Sequence, residues 1–120
     1  MDYRLLNLKG GVKVRIFRGD TFTFDFSANF NNGTPYIFQA GDVLKVGLKS
    51  KITNEEYLLY QEKVIEDDIQ TVTFSFSHDE TMDLPTKDSS ILEVELTDTS
   101  GKVSTLYQNA IEIVGDVIDE

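Results

Sequence analysis

Three stretches of the chain carry side chains from which chemistry is commonly built. The first is Arg18-Gly19-Asp20 within GVKVRIFRGDTFTFDFSANF, a tripeptide best known as an integrin-binding signal. The second is SFSHDET, where His78, the only histidine, stands beside Asp79 and Glu80 and near Ser75 and Ser77. The third is a set of carboxylate runs: Glu66-Asp67-Asp68, Asp79-Glu80 with Asp83, and Asp116 with Asp119 and Glu120.

A general base needs a nucleophile within hydrogen-bond reach and a third group to orient it. Adjacency along a strand does not supply that geometry, so His78 reads as an exposed loop histidine. Nucleophile-elbow, H-E-x-x-H and Walker-type signatures are missing from the sequence. The expectation is a non-catalytic protein with no cofactor, and no residue is assigned as catalytic, cofactor-binding or metal-ligating. Calcium takes about six to eight oxygen ligands, often from loops. None of the acidic runs has EF-hand spacing, so a solvated acidic rim is expected, with one loop-held Ca²⁺ as the alternative. An aromatic platform for sugars would draw on Tyr36, Tyr57, Tyr60 and Tyr107, since Trp is absent. Each of these rings also suits a rim position where its apolar body rests on a core.

Composition narrows the partners. The 120 residues suit one domain, and a 40% hydrophobic content with 8 Phe and 5 Tyr supports a packed globule. With no cysteine, disulfides and thiolate metal sites are excluded. Eleven Lys and Arg against 21 Asp and Glu leave a net charge of −10, which repels phosphate backbones and argues against nucleic acid. No run approaches the ~20 apolar residues of a membrane helix. The opening MDYRLLNLKGG has no apolar core of signal-peptide length. A membrane partner and an export signal are therefore not expected.

These side chains must be positioned by strands, because the dominant period is two. Val12-Lys-Val14-Arg-Ile16, Phe22-Thr-Phe24-Asp-Phe26, Val43 to Leu48, Val72-Thr-Phe74-Ser-Phe76, Leu92-Glu-Val94-Glu-Leu96 and Ile111-Glu-Ile113 alternate apolar with polar residues. Glu56 to Tyr60 and Val103 to Tyr107 are less regular additions; a helix over Asn54 to Ile65 is the alternative to the former. Turn chemistry falls between the runs: Asn32 and Gly33 with Pro35, and Gly101 after Asp98-Thr99-Ser100. One short helical turn is expected near residues 79–84, capped by Ser77 or Asp79 and stopped by Pro85. The pattern predicts an all-β protein: an antiparallel, immunoglobulin-like β-sandwich of seven to eight strands, with a small barrel as the alternative. It would occupy residues 1–120 as a single domain, with 1–11 as lead-in and 116–120 as an acidic tail.

Within that frame Arg18-Gly19-Asp20 reads as a joint, Gly19 providing the tight bend between two alternating runs, and an integrin partner is not expected. The flat polar residues Thr21, Thr23, Thr71, Thr73 and Ser75, together with Tyr36, mark a candidate interface for sheet extension or face packing. The competing reading of the threonines is a solvated face.

The ordered pattern FRGDTFTFDF, NNGTPYIFQAGDVLKVGLKS, TVTFSFSHDETMDLP and SSILEVELTDTSGKVSTLYQNAIEIVGDV resembles the immunoglobulin-like N-terminal domains of upper baseplate and related tail proteins from phages and prophages of Gram-positive hosts. The resemblance spans residues 12 to 117. It implies a structural tail or baseplate module, made in the bacterial cytoplasm and carried in the virion. Such a module docks to other phage tail and baseplate proteins and forms a homo-oligomer. The long fibrous continuation of upper baseplate proteins has no counterpart before Glu120. A bacterial surface module binding a glycan or protein is the alternative function.

Overall fold

The alternating runs become strands because only an extended backbone sends every second side chain to one face. The computed structural model describes residues 3–5, 15–30, 32–50, 56–85 and 87–115. Among these, nine strands and one helical turn follow in order: β1 (Tyr3–Leu5), β2 (Arg15–Phe17), β3 (Phe22–Phe26), β4 (Ala28–Phe30), β5 (Val43–Lys49), β6 (Leu59–Val64), β7 (Val72–Phe76), α1 (His78–Thr81), β8 (Lys87–Thr97) and β9 (Val103–Val114).

One layer is a five-stranded sheet ordered β2-β9-β8-β5-β6; the other is made by the pairs β1-β4 and β3-β7. Ser27 alone separates β3 from β4, so β1 and β7 attach to successive parts of one extended run. The order β9-β8-β5-β6 is the G-F-C-C′ order of a variable-type immunoglobulin sheet, and β1, β3/β4 and β7 follow A-B-E. The protein is thus all-β and sandwich-like, as its alternation predicts.

Five particulars differ from the sequence reading. The β2–β9 pair is parallel, whereas every other strand pair is antiparallel. Nearly the whole chain lies between β2 and β9, so their pairing is free of the hairpin constraint that enforces the antiparallel sense. β2 and β3 do not pair with each other; the Arg18–Asp20 turn carries the chain from one sheet to the other. The lead-in contains β1, and the stretch expected as a strand from Glu56 to Tyr60 is a strand displaced to Leu59–Val64. The runs expected at Val103–Tyr107 and Ile111–Gly115 are one strand. Its bulge places Leu106 and Tyr107 both inward, where the register steps from Val94↔Tyr107 to Glu95↔Thr105. Residues 12–14, 51–55 and the acidic tail 116–120 lie outside the described residues.

The core lies between the layers. Phe26, Phe38, Phe74 and Phe76 are fully buried with Ile16, Leu44, Val46, Leu96 and Ile111. Each contributes about 1.5–3 kcal/mol of transfer free energy. Phe26 meets Tyr107 edge-on across the two sheets, with centroids 6.4 Å apart at 77°. Along the β6–β7 side the sandwich is closed by Lys63. It shares the inward face of β5–β6 with Leu44, lies 5.4 Å above the Phe74 ring and donates from Nζ to the Thr73 carbonyl. A lysine there also occupies a carbonyl of β7, which blunts that edge.

Candidate functional site

The two ends of the sandwich and its two outer faces distribute the residues singled out by sequence. At one end Phe17 accepts the Asp20 amide at 3.0 Å, and Gly19 takes φ 89°. Positive φ at the third position of a hydrogen-bonded four-residue turn is the type II pattern, which requires glycine there. The Arg18 amide donates to the Val114 carbonyl at 2.9 Å, tying the turn to the end of β9. α1 packs on this turn. Ser77 caps it by accepting the Glu80 amide at 3.2 Å, while the Glu80 carboxylate accepts the Ser77 amide at 2.9 Å, a full capping box. The buried Thr81 hydroxyl accepts the Gly19 amide at 3.1 Å and donates to the Asp20 carbonyl at 2.6 Å. The Nδ1 of His78 donates to the Gly19 carbonyl. His78 and Ser77 are therefore engaged in holding a turn, and neither is directed at the other as base and nucleophile. Sequence reading placed the bend, offered Ser77 or Asp79 as the cap and expected the helical turn near 79–84. The structure selects Ser77 and sets α1 at His78–Thr81, and Thr81, which joins turn and helix, carries no motif.

The threonines lie on the β3–β7 pair and its flanks. Thr21, Thr23, Asp25, Thr71, Thr73 and Ser75 are exposed, with Thr23 paired to Ser75 and Asp25 to Thr73. They bond sideways to one another: Thr23 Oγ1 lies 2.9 Å from Ser75 Oγ, and Thr73 Oγ1 donates to Asp25 Oδ1 at 2.6 Å. Tyr36 stands apart from them. Its side chain is buried and its hydroxyl donates to Asp42 Oδ2 at 2.8 Å.

The outer face of the five-stranded sheet carries the aromatic pair. Gly47 faces outward between Tyr60 on β6 and Glu93 on β8. A Cβ on Gly47 would lie 2.2 Å from Cε1 of Tyr57, so the glycine is the bed on which the Tyr57 ring rests. Tyr57 and Tyr60 sit 4.9 Å apart, each 43% exposed, and Lys49 Nζ lies 4.7 Å from the Tyr57 ring. The Tyr60 hydroxyl donates to Glu62 at 3.1 Å. Partial burial, followed by that hydrogen bond and the Glu62 charge, pushes its pKa above the ordinary tyrosine value. β6 has no partner on its outer edge among the described residues, and Val64 near its end is exposed. Of the four tyrosines weighed as a platform, two come together and two, Tyr36 and Tyr107, are buried.

At the other end, the β4–β5 and β8–β9 connections bound a cleft of about 430 Å³ lined by Phe30, Pro35, Tyr36, Ile37, Gln39 and Asp98 to Ser100. Both walls are tied down. Asn32 Oδ1 accepts the Thr34 amide at 2.9 Å, and Phe30 donates to the Thr34 carbonyl at 2.8 Å. Gly33 and Gly101 have φ of 90° and 89° in the two turns, and Pro35 bridges back to Asn29. Asp42, 1% exposed, accepts the Gln39 amide at 2.8 Å as well as the Tyr36 hydroxyl. Asp98 Oδ1 accepts the Ser100 amide at 2.9 Å, the Ser100 hydroxyl at 2.6 Å and the Lys102 amide at 3.0 Å. The Ser100 hydroxyl foremost, with these amides and the Lys102 charge, holds the Asp98 carboxyl below the usual carboxylate range. Among the described residues no three acidic or histidine side chains converge as a metal site.

No protein-family model matches the chain, and no curated protein matches it either.

Proposed function

We propose that the protein is a non-catalytic assembly module of a phage or prophage tail, docking to other virion proteins and to copies of itself. The observation that carries this reading is the Tyr57–Tyr60 pair standing exposed beside the open edge of β6. Exposed tyrosines and an unpaired edge are what sheet-mediated association uses: main-chain bonds give affinity and aromatic anchors give specificity. The neighbouring charges Lys45, Lys49, Glu62, Glu93 and Glu95 alternate in sign on the same face, a pattern that pairs across a two-fold axis. The resemblance of residues 12 to 117 to tail-protein domains supplies the biological setting, and the net charge of −10 suits a protein that must remain soluble until assembly.

Light-scattering mass as a function of concentration tests the reading. Association above the monomer mass, abolished by Tyr60→Glu, is expected. A monomer at every concentration, or association indifferent to Tyr60→Glu, overturns docking through this face.

A further inference from the structure

The cleft between the β4–β5 and β8–β9 connections lies away from the Tyr57–Tyr60 face, and assembly through that face leaves it unused. We propose that it binds a neutral saccharide. Its lining divides into two chemistries. Phe30, Pro35, Tyr36 and Ile37 are apolar, while Gln39, Asp98, Thr99 and Ser100 bring an amide, a carboxylate and two hydroxyls. A pyranose ring has the matching halves, an apolar C–H face and a girdle of hydroxyls. The volume of about 430 Å³ falls within the range of small-ligand sites.

Other ligand classes fit less well. The lining contains no Lys or Arg, and the chain carries a net charge of −10, so an anion would meet repulsion. A cation would find one carboxylate, Asp98, and one of its oxygens already accepts three donors. A purely aliphatic ligand would desolvate Gln39 and Asp98 without replacing their hydrogen bonds to water. The walls are also set before binding. The Tyr36–Asp42 bond fixes the ring, edge-on contacts of Tyr36 with Phe30 at 5.6 Å and Phe38 at 5.2 Å brace it, and the Asp98 turn is held by three bonds. Rigid walls reduce the ordering cost of binding. Ile37 is 43% exposed, an apolar side chain left at the wall where a sugar face would cover it.

The test is a titration of ¹⁵N-labelled protein with maltotriose, cellotriose and chitotriose, followed by amide shifts and compared with the anionic sialyllactose. Saturable shifts at Ile37, Gln39 and Ser100 with at least one neutral trisaccharide are expected. Gln39→Ala, at an exposed position, and Ile37→Ser should each raise that Kd about tenfold, whereas Tyr60→Glu should leave it unchanged. The proposal is overturned if none of the three sugars shifts these amides at millimolar concentration. It is equally overturned if the shifts centre on Tyr57 and Tyr60, if sialyllactose binds more tightly, or if both cleft variants keep the parent Kd. Because Tyr60→Glu acts on assembly and the cleft variants on sugar, each reading can fail without the other.

Discussion

The Thr81 hydroxyl lies 2.6 Å from the Asp20 carbonyl and 3.1 Å from the Gly19 amide, so one buried side chain of α1 satisfies both sides of the turn that moves the chain between sheets. The residues are separated by more than half the sequence. Folding must pair β7 with β3 before the clasp can close, which makes Thr81 a report on correct pairing of these two strands.

Thr81→Val keeps the shape and removes the hydroxyl. It should destabilise the protein by about 1–3 kcal/mol, because the Gly19 amide and Asp20 carbonyl lose their partner at a part-buried site. Thr81→Ser should recover most of the loss. Urea unfolding of the three proteins decides this; equal midpoints for Val and parent would show that the clasp contributes nothing.

Gly19→Ala places a side chain at φ 89°, a left-handed conformation that costs an L-residue about 1–2 kcal/mol. A drop in Tm of several degrees is expected, with the far-UV spectrum preserved. An unchanged Tm would mean that the turn relaxes to negative φ and that its type II geometry is dispensable.

Gly47→Ala must displace the Tyr57 ring, since the added methyl falls 2.2 Å from a ring carbon. The ring is free to swing into solvent, so stability should change little while the Tyr57–Tyr60 pair opens. Tyrosine fluorescence and concentration-dependent mass should change together. Loss of the pair without loss of association would remove the aromatic anchor from the assembly model.

Tyr36→Phe deprives the buried Asp42 of one of two hydrogen bonds, both made to Oδ2; its Oδ1 already has none. Bonds to charged groups contribute about 1.5–3 kcal/mol, and a loss of that order is expected in chemical unfolding. A neutral outcome would mean that Asp42 relaxes toward solvent.

Acid titration isolates Asp98. Its folded pKa is depressed, so its contribution to stability is present above the unfolded value of about 3.9 and fades as pH falls through the folded one. Asp98→Ala should therefore be less stable than the parent at neutral pH, and the gap should narrow below about pH 4. A gap independent of pH would assign the effect to lost turn geometry alone.

Much of this was legible from local pattern. Alternation in Phe22–Phe26, Val43–Leu48, Val72–Phe76 and Leu92–Leu96 is read directly, because burying one face of a strand leaves a period of two in the residues themselves. A cap at Ser77 or Asp79 is announced locally, as is a turn at Gly101 after Asp98, since both are satisfied within a few residues. The parallel partner of β2 was not legible. A three-residue edge strand has no pattern that says which edge it joins. Nor was the bulge at Leu106–Tyr107, where two consecutive buried residues break the alternation that otherwise identifies a strand.

The residues singled out for chemistry divide the same way. By itself the sequence determined the class of fold, the acidic surface, and that Arg18-Gly19-Asp20 bends the chain at a junction of strands. Only the tertiary structure decided what that bend joins, because its donors and acceptors are met by Thr81 and His78, some sixty residues away in the chain. The same holds for the tyrosines. Their spacing left four equivalent rings; the sheet register placed Tyr57 and Tyr60 over Gly47 and sent Tyr36 and Tyr107 into the core. Local backbone preference acts between neighbours in sequence, whereas which side chains meet is settled by long-range burial, and no single strand contains that information.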